Sequence, residues 1–510
     1  MPSSLVRMGL LSSPRGRGHN MLFRAIRSEA NGGPRIIPKA PKDATAFLSV
    51  ADLLSRYRRK DLSPVETIDA VLDQVDRHNG VVNAYCCVDR EGARRSAREA
   101  EARWMAGAPR GLIDGVAVGV KDNLLVAGMP ARFGSRLTSD APSTHDAPAV
   151  ARLREQGAIP IGKTTMPEFG WKAVTDSPLT GVTRNPWDTR KTPGGSSGGA
   201  VAAVVLGMGN IHLGTDGGGS IRIPAAFGGS YGIKPTRARV PAWPASPLGT
   251  LAHAGCLTRS VADAALALTI MAAPDMRDVY AWTSPAPDFR AGLDDGVAGM
   301  RVAYSPRLGY AERVDAEIET AVAAAVRVFE ELGARVDEAD PDLDGDPIAA
   351  WNALWWPAFA MLLQPHGERA RDLADPGLVA AAAQGRETSA IDHIRAQLKR
   401  AELHAVFARF FQRYGLLLTP TMPLPAFEAG RLMPPSGEWG GAWTNWSPFT
   451  CPFNLTQQPA ASIPCGMTRD GLPIGLQIVG AIGADALVLR ASRAFEAARP
   501  FCALKDPCTH

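Results

Sequence analysis

The chain has 510 residues and a formal net charge of +4, from 55 Lys and Arg against 51 Asp and Glu. The two signs are interleaved, which leaves no electrostatic footprint for nucleic acid, and no apolar run reaches the roughly 18 to 20 residues that a membrane span needs. Of seven cysteines only Cys86 and Cys87 are adjacent; Cys256, Cys451, Cys465, Cys502 and Cys508 are scattered, so neither a disulfide framework nor a zinc spacing is present, and a reducing cytoplasm without metal or other cofactor is expected.

The length would permit two or three domains, yet no linker divides the chain. From Met1 to Ser28 there is no acidic residue, while Arg7, Arg15, Arg17, Arg24 and Arg27 recur among Ser, Gly and Leu. That composition suits an organelle transit peptide, a disordered leader or a start codon placed too far upstream. Residues 1–42 are therefore read as a leader and 43–505 as one domain.

Ser63-Pro64-Val65-Glu66 forms a capping box with proline at the first helical position. Val65, Ile68, Val71, Leu72 and Val75 follow at helical spacing, and Asn79-Gly80 is the expected stop. A charged helix over 91–105 comes next. The small and branched residues 115–120 read as a short buried strand that delivers Lys121 at its end, where α/β folds gather catalytic groups. A helix over 149–156, closed by Gly157, precedes a strand at 158–161.

Here Gly157, Gly162, Lys163 and Thr164 satisfy the Walker A spacing letter for letter. A phosphate loop needs a strand before its first glycine and flexible residues inside it. This stretch follows a helix and encloses a branched, Pro-stiffened segment, so nucleotide binding is not expected.

Residues 191–224 read KTPGGSSGGAVAAVVLGMGNIHLGTDGGGSIRIP, with Ser196 and Ser220 lying 220 − 196 = 24 residues apart between glycines. Glycine walls supply no side chain to a core; they do supply free backbone N–H groups and room for close approach, as a nucleophile and an anion-binding nest require. A small-residue helix is expected over 198–207, a strand at 211–214 and an amphipathic helix over 260–271. Strand, helix and strand follow at 300–304, 316–332 and 334–336. Further strands are expected at 416–418 and 472–479, with a closing helix over 484–497. Strands alternating with helices and apolar on both faces indicate an α/β fold whose sheet is covered on two sides.

The segments GVAVGVKDN, KTPGGSSGG, GTDGGGSIRIPA, TRSVADAALAL, FNLTQQPAASIP and GLPIGLQIVG resemble, in this order, the amidase signature family, which hydrolyses amides through a Ser-Ser-Lys triad. The resemblance implies a mixed central sheet with helices on both faces, a core at about 110–270 and a variable substrate region at about 340–455. It makes Ser220 the nucleophile, Ser196 the bridging serine and Lys121 the base, with the N–H groups of Gly217, Gly218, Gly219 and Ser220 as the oxyanion hole. Cys256, Gln457 and Gly415 depart from the family, which commonly has Pro, Gly and Asp at those places. None of them touches the triad.

The residues bear this chemistry independently. Amide hydrolysis needs an activated nucleophile, oxyanion stabilisation and a proton for the amine. His212 and His253 lie in apolar or turn-like segments without a telling carboxylate and read as packed residues. A lysine can serve as base once burial lowers its pKa toward neutrality, and Lys121 follows an uncharged strand; its bland alternative is an ion pair with Asp122. Gly194-Gly195-Ser196-Ser197-Gly198 also fits a nucleophile elbow, but polar, Pro-terminated 189–193 is a loop rather than the strand an elbow requires. A relay from Ser220 through Ser196 to Lys121 suits a hydroxyl that both donates and accepts. Ser197 reads as structural, and Thr215, Asp216 and Arg222 as supports that hold geometry.

Three readings result: an amidase releasing acid plus ammonia or amine, the glutaminase A-type subunit of a tRNA-dependent amidotransferase, and an inactive scaffold or binding protein. The tyrosine-rich segment of the amidotransferase subunits has no equivalent; HAVFARFFQ stands at 404–412. The partner expected is a small amide, with a homodimer as an option. Trp351, Trp355, Trp356, Trp439, Trp443 and Trp446 fall in the variable region and predict an apolar pocket for an apolar or aromatic acyl or amine group.

Overall fold

The computed structural model describes residues 42–501. The leader assigned to 1–42 lies outside the described residues except for its last member. In chain order the strands are β1 (Tyr85–Val88), β2 (Ala117–Lys121), β3 (Ile159–Thr164), β4 (Asp176–Ser177), β5 (Gly181–Val182), β6 (Ile211–Asp216) and β7 (Tyr231–Lys234). They continue with β8 (His253–Thr258), β9 (Arg301–Tyr304), β10 (Arg335–Glu338), β11 (Leu416–Pro420), β12 (Ala460–Met467) and β13 (Pro473–Gly480).

Apart from the β4–β5 hairpin, they form one eleven-stranded sheet in the order β1-β3-β2-β6-β8-β7-β12-β13-β11-β9-β10. The sheet is mixed. β2 runs parallel to β3 and β6, and β9 parallel to β10 and β11; the six strands from β6 across to β11 pair antiparallel. Each parallel wing contains a crossover helix of the kind that parallel pairing requires, Pro148–Glu155 between β2 and β3 and Ala316–Glu331 between β9 and β10. β2, β7, β8, β11 and β13 are buried at every position, as strands covered on both faces are. No helix of the described residues is long and apolar enough to cross a membrane.

Several boundaries differ from expectation for local reasons. The first long helix, Pro64–Val82, has the reciprocal capping box at Ser63 and Glu66 but runs through Asn79-Gly80; it ends at Asn83, which takes the left-handed conformation at φ 52°. The Asn79 side chain is spent on the chain beyond, where its Oδ1 accepts from the amides of Ala84 and Tyr85. The Walker-like stretch is strand: β3 continues through Gly162, Lys163 and Thr164, and the buried Lys163 ammonium donates to the carbonyls of Asp122, Leu124 and Pro130. β1, β7, β8 and β12 carried no readable signal, being short, or built of small residues without alternation. Residues 348–413 are mainly helical, with Ile348–Leu363, Pro376–Glu387 and Ala390–Arg413; HAVFARFFQ lies inside the last.

Candidate active site

β2 and β6 are neighbouring parallel strands, so their carboxyl ends open at the same edge. β2 ends on Lys121. β6 ends on Thr215 and Asp216, followed by the turn Gly217-Gly218-Gly219 and Ser220. The third contribution is the start of the helix Gly198–Val205, with Ser197 at its N-cap and Ser196 before it. The amide of Ser197 donates to the Ser220 carbonyl at 3.1 Å, tying the two serine segments together.

The Lys121 side chain has no solvent exposure. Its Nζ lies 2.8 Å from Ser196 Oγ, 2.9 Å from Ser197 Oγ and 3.3 Å from the Thr215 carbonyl. Burial pushes this ammonium from its ordinary 10.5 down to about 7, against the opposing pull of the Asp216 charge. An amine placed so is partly free of its proton at neutral pH. The bland alternative of an ion pair with Asp122 is not formed: the Asp122 carboxylate accepts from the amides of Arg132 and Gly134, and the ammonium it approaches, at 3.9 Å, is that of Lys163.

Asp216 and Arg222 are both fully buried and meet in a two-pronged pair, Arg222 Nε to Oδ2 at 3.0 Å and Nη2 to Oδ1 at 2.9 Å. Burial alone would raise the Asp216 carboxyl; the Arg222 charge and hydrogen bond, helped by Lys234 and Asn454, hold it below the ordinary carboxylate value. Asp216 in turn receives the amides of Gly219 at 2.7 Å and Ile221 at 3.1 Å. Asp216 and Arg222 therefore brace the glycine turn, and this narrows the set of expected oxyanion donors. The Gly219 amide already has a carboxylate partner, which leaves Gly217, Gly218 and Ser220 as the amides open to an oxyanion. Thr215 contributes its carbonyl to Lys121, and its Oγ1 accepts from Asn123 Nδ2 at 3.0 Å.

Ser197, read from the sequence as structural, also meets the lysine. Its Oγ lies 2.9 Å from Lys121 Nζ against 2.8 Å for Ser196, so it is a second hydroxyl partner of Lys121. The doublet in GGSSGG was the signal for it.

Ser196, Ser220, Thr215 and Gly217 line one cavity of about 320 Å³. Its walls are Phe133, Phe169, Trp355 and Phe359 with the run Pro241–Leu248, and His253 joins them. Arg277 lies over the Trp243 ring at 4.7 Å and the Ala242 amide donates to Asp278, which hold that run in place. The expected tryptophan lining is mostly elsewhere. Trp355 alone of the six lines the cavity; Trp351, Trp443 and Trp446 are buried in the apolar core behind it, which Trp355 and Phe359 share, with Trp356 and Trp439 packed against it. Most of these tryptophans fill volume behind the glycine turn, and other rings, Phe133, Phe169, Trp243 and Phe359, face the cavity. The wall the sequence did not suggest is 241–248, where three prolines and small residues around Trp243 and Leu248 show no periodicity.

His253 is buried, and its Nδ1 meets the Leu251 carbonyl at 2.8 Å; burial, then Lys234, holds its pKa well below the ordinary value. His212 is pushed down to about 3 by burial. Both are neutral; His212 is packed away from the cavity, and His253 forms part of its wall. Among the described residues no group of three His, Cys, Asp or Glu side chains is placed to hold a metal ion.

Known proteins resemble this chain in sequence and fold. The family model described as Amidase matches residues 66–489. An acylamidase of Rhodococcus erythropolis is 37% identical over 463 residues, covering 89% of this chain and 96% of its own. The A-type component of the glutamyl-tRNA(Gln) amidotransferase of Myxococcus xanthus (strain DK1622) is 36% identical, covering 89% and 98%. Among solved structures, a bacterial aryl acylamidase of the amidase signature enzymes superposes with a TM-score of 0.84 at 29% identity, covering 91% of this chain and 99% of its own. A 6-aminohexanoate cyclic dimer hydrolase gives 0.82 at 27%, again covering 91% and 99%. A match over most of the chain, at this identity and with this fold, establishes the family: the chain is a member of the Amidase family, enzymes that hydrolyse amide carbon–nitrogen bonds.

Proposed function

We propose that the protein is an amidase that cleaves a neutral carboxylic acid amide carrying an apolar or aromatic group, through an acyl-enzyme on Ser220. The observation that carries this is the Lys121 ammonium, wholly buried, lowered to about 7 and 2.8 Å from Ser196 Oγ. Ser220 Oγ attacks the carbonyl carbon, its proton passes to Ser196, and the Ser196 proton passes to Lys121 Nζ. The developing oxyanion meets the amides of Gly217, Gly218 and Ser220. Collapse breaks the carbon–nitrogen bond, and the proton returns along the same relay to the departing amine. Water, deprotonated by the relay, then cleaves the ester and releases the acid.

The amidotransferase reading has a specific observation behind it, the 36% identity to a component of such an enzyme. Glutamine, however, brings an α-carboxylate and an α-ammonium into any site that takes it. Among the described residues the only charged side chain lining this cavity is Asp216, already bonded twice by Arg222. Burying two unpaired charges of a ligand costs several kcal/mol each, whereas aromatic walls favour an apolar group. The acylamidase and aryl acylamidase relatives fit that preference.

The test is release of amine or ammonia by the purified protein without ATP, tRNA or partner subunits. Short aliphatic amides, aryl amides, anilides and glutamine make up the panel. Turnover of aryl or anilide substrates above glutamine is expected. Glutamine as the single good substrate contradicts the pocket argument and favours the amidotransferase reading, and no turnover of any amide favours the scaffold reading.

A further inference from the structure

A glycine triplet is a poor device for aiming hydrogen-bond donors, because each glycine leaves its peptide plane free to rotate at little cost. A flip of one plane would replace an N–H by a carbonyl oxygen at the point where negative charge develops. Something must therefore hold the planes. In a trans peptide the carbonyl of one residue and the N–H of the next point in opposite directions, so a donor that captures a carbonyl on the far side aims the following N–H at the near side.

The carbonyls from Asp216 to Ser220 are captured in this way. Asn454 Nδ2 donates to the Asp216 carbonyl at 3.0 Å, the Ile223 amide to that of Gly219 at 2.7 Å and the Ser197 amide to that of Ser220 at 3.1 Å. The two central planes are held by side chains distant in sequence. Trp351 Nε1 donates to the Gly217 carbonyl at 3.1 Å, and Thr450 Oγ1 to the Gly218 carbonyl at 2.6 Å. The same side chains form the back wall of the turn. A Cβ built on Gly218 would lie 2.6 Å from the Trp351 ring, and one on Gly219 2.4 Å from Thr450 Oγ1. Gly219 holds φ +129°, open only to glycine.

We propose that Trp351 and Thr450 are positioning residues that clamp the Gly217–Gly218 and Gly218–Gly219 peptide planes: Trp351 aims the Gly218 N–H at the reacting carbonyl oxygen, and Thr450 locks the next plane so that the turn keeps that orientation. The Gly218 amide is aimed by Trp351. The Gly219 amide, aimed by Thr450, meets Asp216 and fixes the turn on β6. Neither side chain lines the cavity. Thr450 is itself anchored, its carbonyl accepting from Arg222 Nη1 at 2.9 Å. The clamp thus ties the oxyanion site to the buried Asp216–Arg222 pair.

The inference rests on Ser220 being the nucleophile. Its test compares wild type with Thr450→Val, which keeps the shape and deletes the donor, Thr450→Ser, which restores it, and Trp351→Phe, which keeps a ring and deletes its N–H. Losing one oxyanion donor costs about 10²- to 10³-fold in kcat, and loosening a donor a fraction of that; Thr450→Val and Trp351→Phe are expected to lose about 10- to 100-fold in kcat with KM within about twofold. A trifluoromethyl ketone analogue of the best substrate, which becomes an oxyanion adduct, should lose affinity in parallel, while the carboxylic acid product should not. Thr450→Ser should recover most of the loss. Unchanged kcat in Thr450→Val and Trp351→Phe, or equal weakening of ketone and acid, overturns the clamp. Wild-type hydrolysis that survives Ser220→Ala overturns the functional reading itself and the clamp with it.

Discussion

At the scale of single residues the account turns on the protonation of Lys121. Its ammonium is lowered to about 7 by burial, so the base is available above that pH and lost below it. kcat/KM is therefore expected to rise with pH through about 7 to a plateau, and Lys121→Ala to abolish most activity; an unchanged acidic limb in that variant contradicts the assignment. The same shift affects stability. A lysine whose folded pKa lies below its unfolded 10.5 binds fewer protons when folded, so its burial penalty is complete below about pH 7 and vanishes above about 10.5. The unfolding free energy of Lys121→Met relative to wild type should thus improve steadily as pH falls from 10.5 toward 7, measurable by denaturant titration at several pH values. Ser197→Ala removes one of two hydroxyl partners of Lys121 at 2.9 Å, and a loss of about tenfold in rate is expected, near the worth of one net hydrogen bond. The proposed triad positions were legible because spacing and glycine walls are local properties of sequence. The placement of Ser197 was not, since two adjacent serines look alike until the backbone turns both toward one amine.

At the scale of elements, short strands end where chemistry is needed and the turns after them carry the strain. β2 was readable as an uncharged run ending in lysine. The antiparallel centre of the sheet was not, because β7 and β8 are only four and six residues of mixed size. The clamp was invisible for the same reason that distant pairs usually are: Trp351 lies 134 residues from Gly217, and Thr450 232 from Gly218. One sequence oddity did point to structure. Gln457 stands where the family commonly has glycine, and it holds φ +69°. A side chain there costs roughly 1 to 2 kcal/mol, so Gln457→Gly is expected to stabilise the fold by about 1 kcal/mol despite its added unfolded-state entropy; a fall in Tm contradicts this. Replacing Arg222 by Met leaves the buried Asp216 unpaired and should cost roughly 3 to 5 kcal/mol of stability. Survival of a cooperative transition at wild-type denaturant would show that the pair is dispensable.

At the scale of the whole molecule, the mixed sheet brings three chain segments separated by as many as 99 residues, Lys121, Ser196 and Ser220, to one end of two parallel strands (220 − 121 = 99). Alternation of strands and helices made the α/β class legible. The assignment of specificity to the tryptophan-rich region was not reliable, because large aromatics stabilise a core as readily as they line a pocket. Pro241–Leu248, within the core segment, supplies more of the cavity wall. The measurement that tests the central claim most directly is peptide mapping by mass spectrometry after treating the folded protein with a fluorophosphonate. The adduct is expected on Ser220 alone, it should disappear in Ser220→Ala, and it should slow greatly in Lys121→Ala. A wild-type adduct on Ser196 or Ser197 instead would contradict the account.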